Sequence, residues 1–129
     1  MNEQALSTYE NELIESWEST YKQGQLTLWI FLALYESPKS LAELRNYLSE
    51  ASDCTISADD KSLYRSLRRY TAARMTDFTN IPSENGGPPS KCYELTEIGR
   101  RVLREFVQRN LPVQIENKQI KEILSQCQM

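Results

Sequence analysis

Between Lys61 and Arg74 the chain carries Lys61, Arg65, Arg68, Arg69 and Arg74 and no acidic residue. Their spacing decides what such a cluster can do. At about 100° per helical residue, with Leu63 at zero, Leu67 falls near 40° and Tyr70 near 340°, giving one apolar stripe. On the same count Lys61, Arg65, Arg68 and Arg69 fall between roughly 140° and 240°, opposite that stripe. One face suits a core and the other an anion. Ser62 and Tyr64 flank the basic face with hydroxyls that can reach phosphate oxygens. Cations arrayed in this way neutralise backbone phosphates and, in the major groove, can read guanine edges. Arg74 swings back over the apolar side and is assigned to the helix end, where a cation complements the dipole. A solvated basic face would have the same composition. The context separates the two readings, because a capped short helix before it and a Gly/Pro hairpin after it are parts that a DNA-reading module requires.

Other chemistry is poorly provided for. Histidine is absent from all 129 residues, which removes histidine triads, the two-histidine zinc protease motif and any histidine switch. Cys54, Cys92 and Cys127 are odd in number and widely spaced, unlike a zinc site or a disulfide scaffold, and read as reduced thiols, mostly buried. Asp59 and Asp60 are paired carboxylates, but a helix N-terminus explains them without catalysis. Gly86-Gly87 lacks the Gly-Lys-Ser/Thr ending of a phosphate loop. No enzyme, cofactor or metal is expected. The formal charge of −3 points away from nucleic acid, whose binding domains are commonly basic. The charges are segregated, however: Glu3, Glu10, Glu12, Glu15 and Glu18 lie in the first 18 residues, far from the basic segment.

Length and composition (40% apolar, 26% charged) fit one globular unit. No apolar run approaches the roughly 20 residues that span a bilayer, and the polar, acidic start is unlike a signal peptide. A cytoplasmic protein with no membrane partner is expected. Leu6, Tyr9, Leu13, Trp17 and Tyr21 make one face of an amphipathic helix from Glu3 to Tyr21, which Gly24 punctuates. Leu26–Tyr35 is apolar almost all round and predicts a separate buried helix ended by Ser37-Pro38. Ser40 and Glu43 form a capping box opening a short helix with Leu41, Leu44 and Leu48 on one side. Residues 49–56 read as a polar connection. Ser57 and Asp60 repeat the capping pattern before the basic helix, which runs to about Arg74.

Residues 75–81 and 92–95 lean to strand around the turn-rich PSENGGPPSK, predicting a hairpin over 75–95. Its tip holds Glu84 and, as its one cation, Lys91, so a solvated turn suits it as well as a groove contact. Thr96 caps a helix to about Asn110 that Pro112 breaks, and a last helix covers 116–126. No internal repeat is present. The fold predicted is mainly α with a small β-hairpin: a winged helix-turn-helix at 24–95, flanked by dimerisation helices at 1–23 and 96–129 whose apolar faces pair across a twofold axis.

The stretches ISADDKSLYRSLRRY and GGPPSKCYELTEIGRRVL resemble the PadR-like family of winged-helix transcriptional regulators, in Leu-Tyr followed by Leu-x-Arg and in the wing strand, Thr-Glu cap and Gly-Arg. ESWESTYKQGQLTLWIFLAL is similar to the family's opening helix, so that the resemblance spans about residues 15–110. Pro38-Lys39-Ser40-Leu41 stands where members carry a Gly-Tyr-Gly-Tyr-like run, and Ser90 and Cys92 where aromatic or basic residues are common. The resemblance implies a homodimer acting as a repressor on a roughly palindromic double-stranded operator. Helix 57–74 then lies in the major groove and hairpin 75–95 is the wing. It marks Ser62, Tyr64, Arg65 and Arg69 as DNA contacts and Lys91 as a wing contact; the basic face adds Lys61 and Arg68. Some members bind planar effectors between subunits, and Trp17, Tyr21, Trp29 and Tyr35 could line such a site, although aromatic packing accounts for them and no effector is assigned. The alternative is a winged-helix module for protein contact without DNA binding.

Overall fold

The computed structural model describes residues 5–127. Helix α1 spans Thr8–Glu36, a two-residue strand β1 covers Lys39–Ser40, and helices α2 and α3 cover Leu41–Ala51 and Asp60–Ala72. Strands β2 (Thr76–Ile81) and β3 (Ser90–Leu95) form the hairpin, followed by α4 (Glu97–Glu116) and α5 (Lys118–Cys127). The sheet is antiparallel in the order β1-β3-β2, with Lys39 opposite Tyr93 and Thr76 opposite Leu95. A mainly helical winged helix-turn-helix with added terminal helices is therefore the observed architecture.

Two predicted breaks are absent. Gly24 lies inside α1, which is one helix of 29 residues where two were expected. A glycine costs a helix only about 1 kcal/mol, and the helix formers Lys22, Gln23 and Gln25 around it suffice. Pro112 likewise sits inside α4, which continues to Glu116. There the half-buried Leu111 packs on the core beside it. The start of α1 also differs. Glu3 lies outside the described residues, and Leu6 precedes the helix, which a Ser7–Glu10 capping box opens at Thr8.

The core is built where the apolar stripes converge. Leu28, Ile30, Phe31, Ala33 and Leu34 of α1, Leu44 and Leu48 of α2, and Leu63, Leu67 and Tyr70 of α3 meet Tyr93 and Leu95 of β3 and Leu103 of α4. Burial of such side chains contributes about 1.5–3 kcal/mol each. The predicted box at Ser40 and Glu43 is formed, and its backbone hydrogen bond holds the Glu43 carboxyl below its ordinary pKa. The loop that follows α2 is closed by buried Ser52, whose hydroxyl donates to the Leu48 carbonyl and accepts from the Ile56 N–H at 3.0 Å.

Lys39 occupies the least expected place. Its side chain is buried, and Nζ donates to the Ala33 carbonyl at 2.8 Å and to Ser37 Oγ at 2.9 Å, with Glu36 at 3.4 Å. A buried ammonium needs such partners, and the C-terminal end of α1 supplies carbonyls at the negative end of the dipole. Lys39 thus ends α1 and starts β1 together. The cysteines are not mostly buried as predicted. Cys54 and Cys127 are exposed, the first in a left-handed turn residue (φ 63°) and the second at the end of α5, while Cys92 is half-buried. Burial, with Glu43 and Glu94 nearby, pushes the Cys92 thiol above its ordinary pKa, which keeps it protonated.

Candidate nucleic-acid interface

Helix α3 is held rigidly from behind. Leu63, Ser66, Leu67 and Tyr70 are buried. The Tyr70 ring lies 4.7 Å from that of Phe31, and its hydroxyl is 2.7 Å from that of Thr27 on α1. The ion pair of Arg45 with Asp60 ties α2 to the first turn of α3. Its cap is Asp59 and not the predicted Ser57: the Asp59 carboxylate accepts the Ser62 N–H at 2.8 Å, which holds its pKa below the ordinary value. Asp59 is the residue directly preceding the first helical turn, where an N-cap must sit.

The helix ends at Ala72 and not at Arg74. Arg74 adopts φ 65°, and the Met75 N–H reaches the Tyr70 carbonyl (2.9 Å) while the Arg74 N–H reaches that of Thr71 (3.0 Å). This is the left-handed C-terminal motif that usually takes glycine. Arg74 therefore serves the helix end, as assigned, at some backbone strain. Arg74→Gly is expected to raise stability by about 1 kcal/mol in thermal melts, because glycine enters that conformation freely.

The opposite side of α3 is open. Lys61, Tyr64, Arg65, Arg68 and Arg69 are exposed and Ser62 is half-exposed. Among the described residues none of these four cations forms an ion pair with an acidic side chain, although α4 pairs Arg101 with Glu97 and Arg109 with Glu105. Unpaired cations on a rigid helix are poised for an external anion. Two clefts border the face. On one side Ser62, Arg65, Ser66 and Arg69 face Gln23, Gly24, Leu26 and Thr27 of α1 across a polar cleft of about 500 Å³. On the other, Tyr64, Arg68, Thr71 and Ala72 face Phe78, Lys91 and Tyr93 of the hairpin across about 330 Å³.

Lys91 lies in β3 opposite Asn80, half-buried, one pair from the loop end of the hairpin and just outside the tip itself. Its Nζ lies 4.4 Å from the Phe78 ring centre, 5.2 Å from that of Tyr64 and 3.5 Å from the Tyr64 hydroxyl. The tip, 82–89, carries no cation. All seven predicted contact residues thus lie on α3 or on the facing strand β3 of the wing. Spacing had not marked Gln23 and Thr27, which belong to a different helix, or Phe78, which joins the face through the β2–β3 pairing.

The four aromatics considered for an effector do not converge. Trp17 and Tyr21 are exposed on the first half of α1, Trp29 packs on the core, and Tyr35 lies between Arg100 and Arg104 of α4.

Three core helices, a short third strand and a two-stranded wing define a winged helix-turn-helix protein. No family model and no curated protein matches the sequence. Solved structures do. A PadR-like transcription factor from Bacteroides fragilis is 25% identical with a TM-score of 0.63, covering 84% of this chain and 98% of its own. A PadR family regulator from Eggerthella lenta is 22% identical with a TM-score of 0.69, covering 92% and 97%. Bacillus subtilis PadR in complex with operator DNA is 22% identical with a TM-score of 0.57, covering 64% of this chain and 46% of that one. In fold the chain is similar to these PadR-like regulators.

Proposed function

We propose that the protein is a sequence-specific DNA-binding transcriptional regulator, a repressor that acts as a homodimer on a roughly palindromic operator. The observation that carries this reading is the well-packed α3 presenting Lys61, Arg65, Arg68 and Arg69, without acidic partners among the described residues, beside a wing. In this reading α3 enters the major groove, Arg65 and Arg69 contact base edges or phosphates, and Lys61, Ser62, Tyr64 and Arg68 contact the backbone, with Lys91 adding charge from the wing. The operator complex of the Bacillus subtilis relative supports double-stranded DNA as partner.

The homodimer rests on uncovered apolar side chains. Tyr9, Leu13, Trp17 and Tyr21 on α1 are each more than half exposed, as are Val113 and Ile115 on α4 and Ile123 and Leu124 on α5. Faces of this kind are stable in water when paired with a second copy. The segments 1–23 and 96–129 would thus dimerise while 24–95 reads DNA, with α1 running unbroken between both roles. No helix among the described residues is long and apolar enough to cross a membrane, and a cytoplasmic, non-enzymatic regulator follows from the reading as a whole.

A second reading, a protein-contact module, draws on Glu84 and the absence of any cation in the wing tip. Selection from a random duplex pool separates the two. The DNA reading predicts enrichment of inverted half-sites with centres about 10 base pairs or a multiple apart. A pool that remains unenriched would favour protein contact.

A further inference from the structure

The placement of Lys91 goes beyond a charge on the wing. A cation held against two aromatic faces from different elements is a fastening, since each contact contributes about 0.5–1 kcal/mol at exposed sites and more when half-buried. Lys91 is carried by β3, Phe78 by the paired strand β2, and Tyr64 by α3. Its ammonium lies over Phe78 at 4.4 Å and near the Tyr64 ring and hydroxyl at 5.2 and 3.5 Å. Arg68 lies 5.9 Å from the same Tyr64 ring and lines the same cleft. Clefts flank Tyr64 on both sides, one with Thr71 and Ala72 and one with Ser40, Leu41 and Pro89, so apolar packing alone does not fill the gap between helix and hairpin.

We propose that Lys91, Phe78 and Tyr64 form a clamp that fixes the wing against the recognition helix, and that Lys91 is a positioning residue for DNA binding. This rests on the DNA reading above for its consequence, but not for the clamp itself. Without it the hairpin would pivot at its junctions with α3 and α4, and its approach to the duplex would be set anew at each encounter. Holding the wing in advance removes that ordering cost from binding. Phe78 supplies the discriminating test, because an apolar ring beneath Lys91 offers no hydrogen bond to phosphate.

The experiment uses the full chain and four proteins: wild type, Lys91→Met, Phe78→Leu and the double variant, each checked for a cooperative thermal transition. In the free protein, NMR is expected to show the Lys91 ε-methylene protons shifted upfield by the rings in wild type. In Phe78→Leu they return toward ordinary values, and amide order in 82–89 falls in all three variants. With duplex selected by the wild type, each single variant loses about tenfold in affinity. The double variant loses no more than about tenfold, and Phe78→Leu keeps the wild-type salt dependence. Unshifted ε-protons with unchanged wing order would overturn the clamp. So would a Phe78→Leu protein that binds like wild type while Lys91→Met loses affinity and about one unit of salt slope, the signature of a plain phosphate contact. If the wild type selects no duplex, the DNA reading fails and the NMR arm alone decides the clamp.

Discussion

Replacing Arg65 and Arg69 together by alanine is expected to lower operator affinity by about a hundredfold or more, with the fold unchanged. The magnitude follows from two lost contacts of about 1–3 kcal/mol each. Both side chains are exposed, and neither takes part in an ion pair among the described residues; Arg69 touches only the edge of the core, its guanidinium 5.8 Å from the Tyr70 ring. Their removal should therefore change stability by no more than about 0.5 kcal/mol. The pair is chosen because both line the cleft on the α1 side of the helix, away from the clamp at Lys91. Fluorescence polarisation with selected duplex, alongside a thermal melt, checks both halves. Wild-type affinity in the double variant would remove α3 as the reading element.

Gly99→Ala is expected to destabilise the protein by about 3 kcal/mol, seen as a melting temperature lower by about 10 °C. A Cβ at Gly99 would collide with the backbone carbonyl of Met75 and come within 3.1 Å of Leu95 Cδ2. Backbone cannot swing aside as a long side chain can. The first turn of α4 sits on the α3–β2 junction through Thr96, whose hydroxyl donates to the Arg74 carbonyl at 2.6 Å and accepts the Gly99 N–H at 3.0 Å. The Thr96 N–H also reaches the Met75 carbonyl at 3.1 Å. Relieving the collision requires breaking this junction, and the wing would lose its anchorage with it. A melt within about 1 °C of wild type would show that α4 can shift freely.

What could be read from the sequence, and what could not, divides along physical lines. The stripe of Leu63, Leu67 and Tyr70 and the cap residues Ser40 and Thr96 are local signals, and each is formed as predicted. Helix breakers misled because propensity is a weak prior: Gly24 and Pro112 each reside in a helix that tertiary packing and good neighbours sustain. The cap of α3 moved from Ser57 to Asp59 because two capping candidates two residues apart satisfy similar patterns. Lys39 and Phe78 were illegible for a different reason. A lysine before a helix and a phenylalanine in a strand carry no periodic signal: the partners of Lys39 are the carbonyls and hydroxyl at the end of α1, and those of Phe78 arrive through the β2–β3 register. The net charge of −3 misled only as an average, since the acidic residues Glu10, Glu12, Glu15 and Glu18 lie on the first half of α1 while the face of α3 is basic.

The central claim, that the basic face of α3 binds duplex DNA, is tested most directly by the salt dependence of binding. A dimer neutralising about six phosphates should give a slope near −5 in log association constant against log salt. Arg65→Ala/Arg69→Ala should flatten that slope wherever either arginine contacts phosphate. Absence of binding at every salt concentration, or binding indifferent to salt, would contradict it.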